Sequence, residues 1–338
     1  MSFIRNSTFV KRDIRILERE FNVTEYYFNT TIKLQLPIAF FKQFFYLLFN
    51  INKFHSVVVQ SSGYVSFLPV ILGKLFNTPV VIIAIGTDCA NRPEINYGAH
   101  RKPILSWFTR FSFRFASLIL PVHKSLEESY YSYMKIKFPN QGIRSFIPNI
   151  KTPIIEMVNG FDTEKWKLLD MKRKPNSFLT VTLALTETGY YLKGIDLIVV
   201  LAKAFPTYNF TIVGKVYMKE TCPENIILME NLSHSDLLEV YNQHQYYLQL
   251  SMSEGFPNAL CEAMLCGCIP IGSDVAGIPD IIGEAGYILK KKNEEDLIEL
   301  INNLSKSTIT REEARDQIIA NFPLSRRESE FLAHISHL

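Results

Sequence analysis

Short apolar runs alternate with longer amphipathic stretches along the chain, beginning near residue 56. Runs rich in Val and Ile predict buried strands, and apolar positions spaced three or four residues apart predict helices. In the first half the predicted strands cover 55–60, 79–85 and 118–122, and the predicted helices cover 64–76 and 104–118. This alternation is typical of a parallel sheet with helices on both faces.

The pattern restarts after a polar stretch at 172–176, which we interpret as a linker. The predicted strands are 178–185, 209–214, 225–230, 246–251 and 269–273, and the predicted helices are 194–205, 257–266, 294–304 and one that follows a capping box at Ser233 and Asp236. The last helical stretch, 311–338, is interrupted at Pro323. We therefore expect an α/β protein with two doubly wound domains, 1–170 and 171–320, and a C-terminal helix, 321–338, that packs back toward the first domain.

Composition narrows the class of protein. Hydrophobic residues make up 47% of the chain and charged residues 20%, which excludes an intrinsically disordered protein. The most apolar stretch, 36–49, is interrupted by Lys42 and Gln43 and is shorter than the ~20 residues of a membrane span. The chain shows no signal-peptide pattern, so we expect a cytoplasmic protein. We expect its five cysteines to be buried thiols and not a zinc site.

Charge is distributed unevenly between the halves. Residues 1–150 carry 18 Lys and Arg against 8 Asp and Glu, a net of +10, whereas residues 151–338 carry 18 against 25, a net of −7. This asymmetry favours two domains with different partners. The basic half contains no recognised nucleic-acid-binding module, so we expect no nucleic-acid partner. It suits an anionic lipid surface or a lipid-diphosphate acceptor.

The segment after the predicted strand 246–251 combines two carboxylates with the start of a helix. Ligands of open parallel sheets bind beyond the carboxyl ends of the strands, where helix N-termini converge. Glu254 lies in this loop, Gly255 allows a ligand to approach, Pro257 suits a first helical position and Glu262 follows on the second turn. Carboxylates accept paired hydrogen bonds from the vicinal hydroxyls of sugars and riboses. Alternatively, Glu254 caps the helix and Glu262 is a solvated helix residue.

The string SEGFPNALCEAM at 253–264 resembles the E-x7-E motif of the retaining GT-B glycosyltransferases of family four, the glycosyl transferases group 1. Further segments resemble the same family in the same order: NGFD at 159–162, KGID at 193–196, GCIPI at 267–271, GIPD at 277–280 and EAGY at 284–287. The family usually has Glu where Asp280 stands. Agreement over several ordered motifs makes the resemblance specific for the C-terminal half.

The resemblance implies a GT-B fold, two Rossmann-like domains facing each other across a cleft, and transfer of a sugar from a UDP- or GDP-linked donor with retention of configuration. It implies that Lys193 grips the donor pyrophosphate and that Glu262 holds the ribose. The donor sugar would be held by Glu254 and the backbone of Gly255, Phe256, Pro257 and Asn258. An ammonium group beside a departing diphosphate stabilises the transition state more than the ground state. Relatives usually have Arg where Glu187 stands, so either the loop is shifted or a second cation comes from elsewhere.

The N-terminal half is expected to bind the acceptor. Asp88, within IGTD, resembles the G-x-D of the family at the cleft and is the catalytic candidate of this half, with an Asx turn as the alternative. Ile85 stands where many relatives have His. The first strand is expected to be short or missing. Either the gene start lies further upstream, or Ser7 and Thr8 replace the Gly-rich contacts to the donor.

The segment 101–115 mixes cations with aromatic residues, among them Trp107, Arg110, Phe111 and Arg114. Interfacial helices have this composition, and so does a packed helix whose two arginines face water. We expect a glycan or lipid-linked acceptor, in the synthesis of cell-surface polysaccharide, glycolipid or lipid-linked glycan. A peripheral position on the inner face of the cell membrane is one option.

The absence of Asp-x-Asp from the sequence predicts a metal-independent site without a cofactor. The resulting hypothesis is a hexosyltransferase-type enzyme whose catalytic residues are Glu254, Lys193 and Asp88. Two alternatives stay open: a catalytically impaired glycosyltransferase-like protein with a binding or scaffold role, and another GT-B enzyme such as a sugar-nucleotide epimerase. Retention of Glu254 and Glu262 argues against the scaffold, and no epimerase signature is visible.

Overall fold

The structure is a computed structural model that describes residues 1–3, 7–28, 33–219, 221–230, 232–306 and 308–338. The chain forms two compact units. The first contains Met1–Tyr130, Asn140–Val158 and Ser325–Leu338, and the second contains Tyr131–Pro139 and Asn159–Leu324. The chain therefore contributes the short segment 131–139 to the second unit, enters that unit again after Val158 and returns to the first after Leu324.

The first unit alternates strands and helices. Its strands are β1 (Ser2–Phe3), β2 (Tyr26–Tyr27), β3 (Val57–Gln60), β4 (Val80–Ala84), β5 (Leu118–Pro121), β6 (Ser129–Tyr130) and β7 (Asn140–Gln141). Its helices are α1 (Thr8–Leu17), α2 (Leu36–Asn50), α3 (Tyr64–Leu75), α4 (Pro103–Phe115) and α5 (Ile143–Phe146). The sheet is parallel in the order β2-β1-β3-β4-β5, and β6 and β7 form a separate antiparallel pair.

The central strands of this sheet are buried along their whole length. Every residue of β3, β4 and β5 is buried, as the Val- and Ile-rich runs predict for strands covered on both faces. The first strand, expected to be short or missing, is β1 and has two residues. In this sheet β1 lies beside β3, and the strand order reverses between them. Doubly wound folds bind ligands at such a reversal.

The second unit repeats the alternation. Its strands are β8 (Ser177–Val181), β9 (Asn209–Val213), β10 (Ile226–Met229), β11 (Tyr246–Gln249), β12 (Ile269–Ser273) and β13 (Tyr287–Leu289). Its helices are α6 (Glu187–Leu192), α7 (Ile195–Ala204), α8 (His234–Gln243), α9 (Asn258–Leu265), α10 (Ile278–Ile282), α11 (Glu294–Asn303) and α12 (Arg311–Asn321). The predicted capping box is present before α8, since Ser233 and Asp236 exchange side-chain and backbone hydrogen bonds.

The sheet of the second unit is parallel in the order β10-β9-β8-β11-β12-β13. Counted from β8, this is the 3-2-1-4-5-6 order of the Rossmann fold, and the order reverses between β8 and β11. The two strands are in register at Tyr246 and Phe178. The predicted α/β class and the Rossmann-like character are thus confirmed.

Three sequence expectations need correction or extension. The polar stretch 172–176 is not a linker, because the Arg173 guanidinium donates to the carbonyl oxygens of His244 and Cys266 and fastens the stretch to the second unit. The short elements α6, α10 and β13 were not predicted, since so few residues show no clear periodicity. All five cysteines are free, and four of them are buried. Over the described ranges, no helix has the length and apolar content needed to cross a membrane.

The last helix, α13 (Leu324–Ser336), is fixed to the first unit by a buried ion pair. Arg327 binds the Asp13 carboxylate through two hydrogen bonds of 2.9 and 2.8 Å, and its Nη1 donates to the carbonyl oxygens of Met157 and Val158. The side chains of Arg327 and Asp13 are 1% and 0% exposed. Gln60 also donates to Asp13 at 2.9 Å. The pair therefore joins α13, α1 and the end of β3 in one buried network.

Candidate functional site

Two predicted donor-site residues follow the two strands at which the order of the second sheet reverses. Lys193 lies in the connection after β8, and Glu254 lies in the connection after β11. At such a reversal the two connections leave toward opposite faces of the sheet and open a crevice at the carboxyl ends of the strands. The topology thus brings together two residues that are far apart in sequence.

Lys193 and Glu254 form an ion pair. Lys193 Nζ donates to Glu254 Oε1 at 2.6 Å, with side-chain exposures of 25% and 14%. Gln249 Nε2, at the end of β11, lies 3.4 Å from the same oxygen and 2.8 Å from Ser251 Oγ. The pair places a cation and a carboxylate side by side at the crevice, where one can meet a phosphate and the other a hydroxyl.

Gly194 explains how Lys193 reaches this position. Gly194 has φ of +70°, and a Cβ added to it would lie 2.3 Å from the carbonyl oxygen of Leu250. Only glycine accepts both the left-handed backbone and this close approach to the end of β11. The backbone N–H of Met252 donates to the carbonyl oxygen of Leu192 at 2.8 Å, which holds the turn between α6 and α7 against the loop before Glu254.

The predicted donor-binding residues Gly255 to Asn258 lead into α9. The helix begins at Asn258, one residue later than predicted, and Pro257 precedes it without a side-chain capping bond. The ring of Phe256 packs against those of Phe161 and Phe322, and Asn159 donates to Asn258 Oδ1 at 2.9 Å. These contacts fix the start of α9, so its backbone N–H groups are preorganised for an anionic or hydroxyl ligand.

Glu262 lies on α9, just past the middle of the helix. Its Oε2 accepts a hydrogen bond of 3.3 Å from Tyr241 on α8. Burial, and then the Glu262 charge, raise the pKa of Tyr241 well above its usual value, so the phenol stays a neutral donor. A second carboxylate oriented by a buried hydroxyl is suited to binding a diol such as a ribose.

Glu187, found where relatives have Arg, lies in the first turn of α6 and is paired with a cation. Lys219 Nζ is 3.1 Å from Glu187 Oε1 and 2.6 Å from the hydroxyl of Tyr191 on the same helix. The hydrogen bond to Tyr191, followed by that to Glu187, raises the pKa of Lys219. Lys219 is therefore a candidate for the second cation, and no local motif in the sequence indicated it.

A further cation, Lys292, lies beside the loop that carries Glu254. Lys292 forms an ion pair with Asp196, the last residue of the KGID segment, and its Nζ lies 3.4 Å from the sulfur of Met252. The sequence did not indicate Lys292 because the strand before it, β13, was not predicted. If β13 had been predicted, Lys292 would have been expected near the site, because the carboxyl ends of parallel strands meet at the same edge of a sheet.

The remaining candidates belong to the first unit. Asp88, in the loop after β4, is 1% exposed. Its carboxylate accepts hydrogen bonds from the backbone N–H groups of Ser62, Ile85 and Gly86 and from the hydroxyl of Ser61. Burial raises the pKa of Asp88, and these backbone donors oppose that rise. The carboxylate thus ties together the loops that follow β3 and β4.

His100 supports the Asp88 loop and was not singled out in the sequence. Its Nε2 is 3.1 Å from the carbonyl oxygen of Asp88, its Nδ1 is 2.9 Å from Ser106 Oγ, and its ring stacks on Phe146 with 4.0 Å between centroids. Burial lowers the pKa of His100 to about 4. The imidazole is therefore neutral near pH 7 and orders the loop as a hydrogen-bonding group.

Ser7 and Thr8 lie at the N-terminus of α1, which follows the short strand β1. Ser7 is the N-cap residue but makes no side-chain capping bond, and its hydroxyl has no hydrogen-bond partner within the described ranges. Thr8 is exposed in the first turn. The position at the β1–β3 reversal is compatible with ligand contact, and the predicted role of both residues stays a prediction.

Comparison with known proteins identifies the second unit. Residues 180–321 match the family model described as glycosyl transferases group 1. The matched range contains Lys193, Glu254 and Glu262. The second unit therefore carries a glycosyl transferases group 1 domain, in agreement with the resemblance that the motifs indicate.

Two curated relatives illustrate the similarity in sequence. The phosphatidylinositol N-acetylglucosaminyltransferase gpi3 subunit of Schizosaccharomyces pombe is 24% identical over 148 residues, which cover 40% of this chain and 32% of that protein. N,N'-diacetylbacillosaminyl-diphospho-undecaprenol alpha-1,3-N-acetylgalactosaminyltransferase of Campylobacter jejuni is 28% identical over 217 residues, 60% of this chain and 54% of that protein. The chain thus matches these relatives over about a third to a half of their length.

Similarity in structure extends over the whole chain. The crystal structure of Anabaena HepE in complex with UDP-glucose has a TM-score of 0.71 with this protein, at 14% sequence identity, and covers 100% of this chain and 99% of that one. At such low identity the similarity concerns the fold, which is the expected GT-B fold.

Proposed function

We propose that this protein is a retaining glycosyltransferase that moves a sugar from a UDP- or GDP-linked donor to an acceptor hydroxyl without a metal ion. The observation that carries the proposal is the Lys193–Glu254 ion pair, 2.6 Å long, at the strand-order reversal of a glycosyl transferases group 1 domain. A cation and a carboxylate at this place supply complementary contacts to a nucleoside diphosphate and to a sugar.

Each residue has a distinct role in the proposed reaction. The acceptor oxygen forms a bond to the anomeric carbon on the face from which the diphosphate departs, and an oxygen of the departing phosphate takes the acceptor proton. Lys193 stabilises the negative charge that grows on the diphosphate, and α9 adds its N-terminal N–H groups. Glu254 holds the hydroxyls of the donor sugar, and Glu262 holds the ribose.

Asp88 is proposed to act as a positioning residue. The carboxylate of Asp88 accepts hydrogen bonds from its own loop and from Ser61 and Ser62, so it shapes the carboxyl edge of the first sheet. Ser7 and Thr8 are proposed to contact the donor from the same unit, in place of the Gly-rich turn of relatives.

The acceptor is proposed to be a glycan or a lipid-linked glycan. The names of the two relatives contain phosphatidylinositol and diphospho-undecaprenol, which are phosphate-bearing lipids. A basic N-terminal half suits such an anionic acceptor. The protein would then work in the synthesis of cell-surface polysaccharide, glycolipid or lipid-linked glycan, as a cytoplasmic protein at the inner face of the membrane.

The test is thermal unfolding with a panel of UDP- and GDP-sugars, in EDTA and then with added manganese or magnesium. A ligand that binds the folded state at 100 times its Kd adds about 2.7 kcal/mol of stability, so the correct donor raises Tm clearly. We expect this rise, and transfer or slow hydrolysis of the donor, to persist in EDTA.

Two outcomes would count against the proposal. Activity that disappears in EDTA and returns with a divalent ion would refute the metal-free mechanism. Donor binding without any turnover, over a panel of glycan and lipid-linked acceptors, would instead indicate a protein with a binding or scaffold role.

A further inference from the structure

Helices α2, α3 and α4 of the first unit lie side by side and are joined by aromatic rings. Phe40 on α2 contacts Phe67 on α3 and Phe108 on α4, with ring centroids 6.4 and 5.8 Å apart, and Phe67 contacts Trp107 at 5.6 Å. Gln43 on α2 donates to the carbonyl oxygen of Val65 on α3 at 2.9 Å. We call these three packed helices the aromatic layer.

The aromatic layer leaves large apolar side chains in water. On α2, Phe41 is 65% and Phe49 is 68% exposed, and Phe45 lies between them with ring centroids at 4.6 and 6.4 Å. On α4, Trp107 is 55% exposed, and Ile104 is also exposed. Soluble monomers rarely expose so many aromatic groups close together without a partner.

The charges of the aromatic layer all have one sign. The segments 36–50, 64–75 and 103–115 contain no Asp or Glu, and their charged residues are Lys42, Lys74, Arg110 and Arg114. All four are exposed. The sequence pattern indicated only the segment 101–115 as a surface for lipid. The structure adds α2, which carries the most exposed phenylalanines, and it shows that part of α4, including Phe113, is buried.

We infer that the aromatic layer is a docking surface for the headgroup region of an anionic lipid bilayer. Its aromatic side chains enter the boundary between headgroups and acyl chains, and its Lys and Arg side chains pair with lipid phosphates. The buried residues Gln43 and Leu47 hold α2 on the protein. The helix therefore lies along the membrane surface with its exposed phenylalanines directed into the lipid.

Charge decides between a bilayer and a second copy of this chain. Two identical cationic surfaces repel each other, whereas an anionic bilayer attracts Lys and Arg by about 1 kcal/mol per residue near the surface. Membrane docking rests on the proposed location at the inner face of the membrane and deepens it by naming the surface that binds. Its test is separate from sugar transfer, because none of the docking residues belongs to the donor site.

Co-sedimentation with vesicles tests the inference. We expect the protein to bind phosphatidylcholine vesicles that contain phosphatidylserine, to bind pure phosphatidylcholine weakly, and to dissociate as salt is raised. The Phe41→Ser/Phe45→Ser/Phe49→Ser variant should lose about tenfold or more in binding. The Lys42→Glu/Arg110→Glu variant should lose about fivefold or more for each cation replaced.

Matched control variants change similar exposed residues elsewhere. Ile227→Ser/Leu228→Ser on β10 and Lys306→Glu should bind vesicles like the wild type. Circular dichroism should show Tm values within ~3 °C of the wild type for all variants, since exposed side chains contribute little to folding. Binding of UDP, followed by calorimetry, should be unchanged, so that loss of membrane binding is measured separately from donor binding.

Fluorescence locates the contact. The chain has two tryptophans, the exposed Trp107 and Trp166, which is 6% exposed in the second unit. In the Trp166→Phe variant, anionic vesicles should shift the Trp107 emission to shorter wavelength and protect it from acrylamide. No shift, equal binding to neutral vesicles, equal losses in the control variants, or a stable dimer through this surface in sedimentation equilibrium would each overturn the inference.

Discussion

Replacing Glu254 with glutamine tests the donor site with the smallest change in shape. Glu254→Gln keeps the length and the hydrogen-bonding ability of the side chain and removes its charge. In the structure the carboxylate accepts from Lys193 at 2.6 Å and lies 3.4 Å from Gln249 Nε2. The variant therefore removes the charged acceptor that we propose for the sugar hydroxyls, and it leaves Lys193 without its carboxylate partner.

The size of the effect follows from the contacts. A hydrogen bond to a charged group contributes about 1.5–3 kcal/mol, and the proposed bond strengthens as the donor breaks, so kcat should fall about ten- to a hundred-fold. Folding stability should change much less. Lys193 is one-quarter exposed, and ion pairs that water reaches contribute only about 0–1 kcal/mol.

The assay is steady-state kinetics with the sugar nucleotide that raises Tm in the thermal-unfolding panel. Glu262→Gln should mainly raise the donor KM with little change in kcat, because a ribose contact is equally strong in the ground and transition states. Lys193→Ala should lower kcat, as Glu254→Gln does. The Lys193→Ala/Glu254→Gln double variant should lose less than the product of the single losses, since the two side chains are in direct contact.

The assigned roles are refuted if Glu254→Gln and Glu262→Gln both turn over at the wild-type rate with unchanged donor KM. In that case the two carboxylates would be a helix cap and a solvated residue. Strictly multiplicative effects of the Lys193 and Glu254 variants would show that the observed ion pair has no part in the reaction.

Two further predictions concern the first unit. Arg327→Leu should lower the free energy of unfolding in urea by up to about 3–5 kcal/mol, because it removes the two hydrogen bonds between Asp13 and its buried cation and leaves only the longer contact of 3.7 Å with Arg12. Arg19→Leu, which breaks the exposed pair with Glu328, should cost no more than about 1 kcal/mol, and equal effects of the two substitutions would contradict the buried network. The pKa of His100 is lowered from 6.5 to about 4 in the folded state, so the neutral imidazole contributes its full stabilisation above pH 6.5 and that stabilisation should be lost as pH falls to about 4. In thermal unfolding, His100→Asn should lose less stability than the wild type over this pH range. An identical pH profile for the two proteins would refute the assignment.

The sequence by itself determined much of the local structure and the placement of the two carboxylates of the candidate site. The Val- and Ile-rich runs became β3, β4 and β9, and the Ser233–Asp236 pair became a capping box before α8. These features depend on neighbouring residues, so periodicity and capping chemistry suffice to find them. The SEGFPNALCEAM string likewise placed Glu254 and Glu262 around the start of a helix, where the structure has them.

Tertiary structure alone decided which distant residues meet. Lys193 and Glu254 are 61 positions apart, and Arg327 and Asp13 are 314 apart, so no local pattern connects them. Periodicity shows that a helix has an apolar side but not which element covers it, and α2 is apolar both on the side that packs against α3 and on the side that is exposed. The order of the strands brings Lys193 and Glu254 together, and the return of α13 to the first unit buries the pair of Arg327 and Asp13. Such long-range contacts depend on how complete helices and strands pack against each other.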